Sequence, residues 1–276
     1  MNDSHSDRSK LRVSIVIPMY NEAENISPLF TEIVNALTFL HTYEVVFVDD
    51  SSCDDTVEHV RKLSYTDPDG YRIRLIRHGQ RRGKSAALLS GVRFAHGDWI
   101  VMLDADGQQD PRDIPLFLDC ITQAHDPLLA LVSGIRIKRN DSWQKRFGSR
   151  LANLIRKNVL RDGCADSGCS LQLYRREVFL DLPYFSSLHR FLPALFQAYG
   201  YHVHYITVTH RARRYGQSKY DLLGRGLISM IDLLGVLWLT HRVASWPIDS
   251  KEEYLKTDSH VESRDCPDSE KNIPSS

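Results

Sequence analysis

Cysteine is scarce in this chain of 276 residues, and the five present (Cys53, Cys120, Cys164, Cys169 and Cys266) are too few for a disulfide framework at this length. Four residues separate Cys164 from Cys169 and no histidine pair accompanies them, which excludes the usual zinc-knuckle spacing. Reduced thiols in a cytosolic compartment are the expectation. An excess of one charge is missing as well. Lysine plus arginine and aspartate plus glutamate stand at 35 each, so bulk charge argues neither for nor against nucleic acid and any electrostatic partner is read from local clusters; no nucleic-acid partner is expected. Residues 1–10 are polar with no apolar core, so they read as a disordered N-terminus rather than a secretory signal. Residues 247–276 are again polar and read as a disordered tail. Repeats and low-complexity stretches are absent between them.

What is present is an ordinary globular composition, 42% hydrophobic and 25% charged, over about residues 11–246. Near-continuous apolar runs (Val13 to Pro18, Glu44 to Val48, Arg72 to Arg77, Trp99 to Leu103, Leu129 to Ser133) alternate with amphipathic stretches. The latter run from Glu22 to Leu40, Lys84 to Phe94 and Pro111 to Cys120. This alternation predicts an α/β, mostly parallel Rossmann-like sheet with helices on both faces. Further on, a helix from Trp143 to about Val159, a strand from Ser170 to Tyr174, a helix near His189 to Tyr199 and a strand from Val203 to Val208 are expected. In such sheets ligands sit beyond the carboxyl ends of the strands. Here those ends carry Tyr20 to Glu22, Asp49 to Ser52 and Asp104 to Gln108.

The sharpest of these is Asp104-Ala105-Asp106-Gly107-Gln108. Two carboxylates one residue apart at a strand end, with an amide oxygen following, suit a hard divalent cation, Mg2+ or Mn2+, that bridges a nucleotide diphosphate. A solvated acidic turn is the bland alternative, outweighed by the two other acidic strand ends in register. Asp49 and Asp50 suit a nucleobase or ribose, or else the cap of the next helix, a role that fits Asp54 or Asp55 better. Pro18, Tyr20 and Glu22 follow the first strand, where Tyr20 suits packing on a base. A strand-to-helix turn with Glu22 favouring the helix dipole explains them equally. Gly83-Lys84-Ser85 opens a helix, and its amides and Lys84 suit a phosphate. It is no P-loop, because three residues rather than four separate Gly79 from Gly83.

Arg211 to Lys219 is the densest basic cluster, with Gly216 and Ser218 between the cations, as a loop closing on phosphates would have. Arg136, Lys138 and Arg139 form a smaller cluster, and Arg146 and Arg150 lie one turn apart. Either group also fits a merely solvated surface. Leu222 to Leu239 is nearly all apolar, about 27 Å if helical and short of the roughly 20 residues of a spanning helix. Arg225, Ser229 and Asp232 share one stripe of it, and Asp232 at mid-bilayer would cost about 2.5–3.5 kcal/mol. The expectation is an amphipathic helix lying in a membrane interface with Trp238 and Trp246 as anchors; a buried core helix is the alternative.

In order, Pro18-Met19-Tyr20-Asn21-Glu22, Val48-Asp49-Asp50-Ser51-Ser52, Asp104 to Gln108 and Arg213 to Lys219 resemble the dolichyl-phosphate mannose synthase branch of the family-2 glycosyltransferases, from about Val13 to Trp246. The resemblance implies a GT-A fold and inverting transfer of a hexose from a GDP- or UDP-sugar to a polyprenyl or dolichyl phosphate. It implies a metal on Asp104, Asp106 and Gln108 and a nucleotide held by Pro18, Tyr20, Glu22 and Asp49, and Asp50, Lys84 and Asp104 are the further donor-binding candidates. Asp106, Arg136, Arg213 and Lys219 would form the catalytic set, with Arg150 a further match. A nucleotide-binding half at about 11–134, an acceptor half at about 135–220 and a membrane-associating helix at about 221–240 follow, with the protein peripheral on the cytoplasmic face of a membrane. A lipid phosphate is already anionic, so no general base is nominated; Asp166 and Asp141 are the candidates if the acceptor is an alcohol. Asp166-Ser167-Gly168-Cys169 resembles a family segment on the acceptor side. The rivals are a glycan-hydroxyl acceptor, a sugar nucleotidyltransferase (which would need a glycine-rich basic loop where Asn21 to Asn25 stands) and a non-catalytic nucleotide-sugar sensor.

Overall fold

The structure, a computed structural model, describes residues 11–40, 42–65, 72–136, 156, 159–213, 215 and 223–243. Of the sequence candidates, Lys138, Arg139, Asp141, Arg146, Arg150, Lys219, Trp246 and both polar ends lie outside them.

Seven strands form one sheet: β1 (Val13–Met19), β2 (Tyr43–Asp49), β3 (Arg72–Arg77), β4 (Trp99–Met102), β5 (Leu129–Arg136), β6 (Gln172–Arg175) and β7 (His202–Val208). Their order is β3-β2-β1-β4-β6-β5-β7. The β1–β2, β2–β3, β1–β4 and β5–β7 pairs are parallel, whereas β6 runs antiparallel between β4 and β5. The expected mostly parallel sheet is therefore present, with one reversed strand. That reversal has a positional effect. It brings the start of β6 (Gln172) beside the end of β4 (Met102), so the loop before β6 reaches the same edge as the Asp104 turn.

β-Branched and aromatic residues are frequent in the inner strands, and side chains alternate between two faces. Ile15, Ile17, Val45, Phe47 and Val101 face one core, closed by α1 (Ala23–Ala36), α2 (Thr56–Tyr65) and α4 (Ile114–Gln123) through Ile26, Ile33, Val60 and Phe117. Val16, Val46, Val48, Ile100 and Met102 face the other. There α3 (Lys84–Phe94), α5 (Arg176–Asp181), α6 (Leu192–Ala198) and α7 (Leu223–Arg242) supply Leu88, Phe179, Leu195 and Val236. Phe47 is fully buried, and truncating such a side chain costs about 3–5 kcal/mol. Helix α3 lies close on the sheet because Gly91 carries no Cβ; one added there would come within 2.3 Å of Val16 Cγ1. Asp54 caps α2 through the Thr56 amide (3.1 Å), as expected.

Helix α7 presents two apolar faces. Val236 is buried against the second core, with Leu233 and Leu239 packed beside it. Met230, Ile231, Leu234 and Trp238 are about 60% exposed on another face. Among the described residues no helix is long and apolar enough to cross a membrane.

Candidate active site

The chain leaves β4 through the buried Leu103 and turns at Gly107, whose φ of +69° favours glycine. The Asp106 carboxylate accepts the Gln108 amide (3.1 Å), and Gln109 Oε1 accepts the Asp104 amide (3.3 Å), so the loop braces itself. A second segment, leaving β7, fastens it from outside. Gln109 bridges His210, and the Arg211 amide donates to the Gln108 carbonyl at 2.8 Å. The Arg211 guanidinium reaches Glu32 at 2.6 Å and Asp110 at 2.5 Å, and the Thr209 amide donates to Asp113 at 2.7 Å. Burial works against ionising Asp110, but hydrogen bonds from Arg112 and Arg211 prevail and hold its carboxyl at about 2. Two residues on, Arg213 donates to Asp106 Oδ2 at 2.7 Å.

Asp104 meets a different cation. Lys84 Nζ donates to Asp104 Oδ1 and, at 2.7 Å, to Ser170 Oγ at the start of the β6 approach. Burial alone would raise the Asp104 carboxyl; the Lys84 charge and hydrogen bond, helped by Ser170, hold it below the usual carboxylate range. Lys84 is aimed by the turn before α3. Gly83 has a φ of +87°, and Asp50 accepts the Arg82 and Gly83 amides, each at 2.8 Å. Asp50 also meets His78 Nδ1 at 2.8 Å, and His78 Nε2 meets Ser90. Both Asp50 oxygens are thus engaged within the chain, so this residue shapes the Lys84 turn.

At the ends of β1 and β2, Asp49 is fully buried and accepts the Ser52 amide at 3.0 Å. Its other oxygen lies 3.5 Å from Arg77 Nε, close enough to pair but too far to hydrogen-bond. The Arg81 guanidinium stacks over the Tyr20 ring, 4.2 Å from its centroid. Asn21 takes a positive φ of 51° and accepts the Cys53 amide, while Thr56 Oγ1 accepts the Glu22 amide, so α1 and α2 start from one knot. Pro18, Tyr20 and Glu22 are partly exposed around it. At the end of β5, Arg136 forms a two-pronged ion pair with Asp166 (2.6 and 2.7 Å), nearly buried on both sides. A Cβ on Gly168 would come within 2.7 Å of that guanidinium.

Residues 14–182 match the family described as Glycosyl transferase family 2. The chain belongs to that family. It is 32% identical over 223 residues to an undecaprenyl-phosphate 4-deoxy-4-formamido-L-arabinose transferase of Edwardsiella ictaluri, covering 80% of this chain and 65% of that protein. It is 31% identical over 232 residues to a dodecaprenyl-phosphate galacturonate synthase of Rhizobium johnstonii, covering 83% of this chain and 67% of that protein. The chain thus spans about two thirds of the length of these curated relatives. Among solved structures, a mannosyltransferase from Pyrobaculum calidifontis in complex with GDP-Man and Mn2+ superposes with a TM-score of 0.57 at 24% identity, over 86% of this chain and 66% of that one. Glucosyl-3-phosphoglycerate synthase from Mycobacterium tuberculosis, with Mn2+, UDP-Glc and PGA, superposes at 0.63 and 16% identity, over 88% and 84%. The fold is the GT-A fold that the sequence resemblance implied.

For this family-2 glycosyltransferase the carboxyl edge of the sheet brings Lys84 and Arg213 onto the loop of Asp104 and Asp106, and carries Arg136 at the end of β5 paired with Asp166, all of them residues named in the sequence analysis. The donor set fits a divalent cation of the open kind. Among the described residues no cluster of three His, Cys, Asp or Glu forms a closed cage. Two carboxylates and an amide at a partly exposed turn match an ion that takes its remaining ligands from diphosphate and water. Gln109 and Asp110, which help hold the turn, escaped the sequence analysis, and their only trace there is adjacency to the Asp104 to Gln108 motif; Arg211 entered it only as one cation of a basic cluster and Ser170 only as the start of a strand.

Proposed function

We propose that the chain transfers a hexose, with inversion, from a GDP- or UDP-sugar to a polyprenyl or dolichyl phosphate. The observation carrying this is the meeting of Asp104 and Asp106 with Lys84 and Arg213 at one strand end, in a chain whose relatives are named for transfer to polyprenyl phosphates. Pro18, Tyr20, Glu22 and Asp49 take the nucleoside, and Asp50 contributes by shaping the turn that aims Lys84 at the diphosphate. Asp104, Asp106 and Gln108 would hold Mg2+ or Mn2+, which as a Lewis acid offsets charge on the leaving diphosphate. The chain's own part is alignment and charge. Arg213, Arg136 and Lys219 draw the diphosphate and the acceptor phosphate into line, and the acceptor needs no base because it is already anionic. Asp166 is bound two-pronged to Arg136, which makes it a poor base for an alcohol acceptor and favours the phosphate.

The nucleotide-binding half is about 11–134, the acceptor half about 135–220, and the helix at about 221–240 is the membrane-associating part. The exposed stripe Met230, Ile231, Leu234 and Trp238 supports that role, with Arg242 over the Trp238 ring at 5.9 Å as a headgroup-level anchor. The protein sits on the cytoplasmic face as a peripheral protein. The test incubates it with Mn2+, a short polyprenyl phosphate and radiolabelled nucleotide-sugars, and counts label in the organic phase. EDTA-sensitive label from one donor supports the proposal and names the sugar. Nucleotide-sugar binding without organic-phase label would instead favour a glycan hydroxyl as acceptor.

A further inference from the structure

We infer that Ser85, Ser170 and His189 are specificity-determining residues that read the hydroxyls of the transferred sugar, an uncharged hexose. This rests on the glycosyltransferase reading of the site above. The sheet order sets the geometry. Nucleoside candidates lie at the ends of β1 and β2, the carboxylate turn follows β4, and the next strand across is β6. A donor lying along this edge with its nucleoside over β1 and β2 and its diphosphate at Asp104 and Asp106 extends its sugar to the β4–β6 border.

At that border four separate segments bring polar groups together. Lys84 binds Asp104 and Ser170, and one residue further along α3 Ser85 Oγ meets His189 Nδ1 at 2.8 Å. Ser85 and Ser170 are 4% and 7% exposed, while the Lys84 and Asp104 side chains are 20% and 25% exposed and His189 is partly so. The group is thus a buried hydroxyl layer beneath reachable hydrogen-bonding heads. Its chemistry also selects. With Lys84 and Asp104 engaged at the diphosphate, Ser85, Ser170 and His189 are left to offer donors and acceptors suited to the hydroxyls of an uncharged sugar. Sites of this kind discriminate strongly, since a sugar lacking the matching hydroxyl leaves a desolvated partner unpaired.

The experiment is calorimetric titration, with Mn2+ present, of the intact chain and of Ser170→Ala and His189→Ala. GDP and UDP are compared with GDP-mannose, UDP-glucose and UDP-glucuronic acid. Each variant should lose about tenfold in affinity for the preferred nucleotide-sugar while holding the matching nucleoside diphosphate within about twofold. His189→Asn, whose side chain can still meet Ser85, should recover most of the loss. Equal losses for diphosphate and nucleotide-sugar would mean a structural or phosphate-binding role and overturn the inference, as would no loss in either. Tighter binding of UDP-glucuronic acid than of UDP-glucose by the unmodified chain would overturn the uncharged-sugar part. Failure of the unmodified chain to bind any of the five would instead strike the glycosyltransferase reading itself.

Discussion

The two edges of the sheet both carry acidic side chains, in opposite states of satisfaction. At the amino edge, Glu44 accepts from Ser14 (2.6 Å), the His96 amide (2.5 Å) and Arg74 (2.7 Å), and Ser14 in turn accepts the Gly97 amide. Three strands and the α3–β4 connection are thereby pinned to one almost fully buried carboxylate. At the carboxyl edge, Asp104 and Asp106 are more exposed and are each paired with the cationic end of a long side chain. The first arrangement leaves nothing for a ligand to add. The second pairs charges through side chains that can be exchanged for a ligand without dismantling the strands. Degree of satisfaction, more than burial or charge, separates the stapling carboxylate from the two proposed to bind the metal. The carboxyl edge has its own staple in Asp110, and an open groove of about 540 Å³ lies at the amino edge beside His202 and His204, far from the paired aspartates.

That contrast can be broken by experiment. The largest effect is expected at Asp104. Asp104→Ala should lower sugar transfer by about 10³-fold or more, since charge stabilisation at the reacting phosphates is lost. Its thermal midpoint should stay within a few degrees of the parent, and an active Asp104→Ala would end the metal assignment. Glu44→Ala should do the reverse, costing about 2–4 kcal/mol in urea unfolding with kcat/KM per folded molecule nearly unchanged. The pH dependence follows from the same carboxyl. Burial would raise it, but its hydrogen bonds hold it below its ordinary value of 4.5. Its contribution is therefore present at neutral pH and lost as pH falls below about 4.5 through the lower folded value, a loss that an acid titration of Glu44→Ala should lack. Third, Arg213→Ala should lower kcat by about 10²-fold with little change in stability, and Arg213→Lys should recover part. The smallest effect belongs to α7. Leu234→Asp should weaken binding to anionic vesicles by about tenfold while the fold survives, because this side chain is 60% exposed; a collapse of the melting temperature would make the stripe part of the core.

Much of this was legible in the sequence because it is local. Val13–Met19 and Tyr43–Asp49 announce themselves by near-continuous apolar runs rich in β-branched residues, and Lys84–Phe94 was bounded correctly by Gly83 before it. The acidic strand ends could be ranked because each follows such a run. The strand at Gln172–Arg175 was expected from Ser170 to Tyr174, but its reversal could not be read, since four residues carry no mark of direction and only their neighbours β4 and β5 decide it. The short helix Arg176–Asp181 was missed for a similar reason, lying directly after that strand without a polar cap. Helix α1 ends at Ala36, earlier than its apolar spacing suggests, while Leu37 and Leu40 stay buried beyond it. At the site, Lys84 and Asp104 were each named but their pairing was not, because nothing in a spacing of 20 residues signals it. Arg211 looked like one more cation in a basic run; its double grip on Glu32 and Asp110 is a property of the folded chain alone.

Arg213 and Asp106 are 107 residues apart, and Arg211 reaches back 179 residues to Glu32. During synthesis the first four strands are therefore made long before their outer fastening exists. Long-range closures of this kind form late in folding. A nascent chain shorter than about 213 residues would hold the carboxylate turn without Arg211 and Arg213, so the turn is fastened only after the last strand of the sheet has been made.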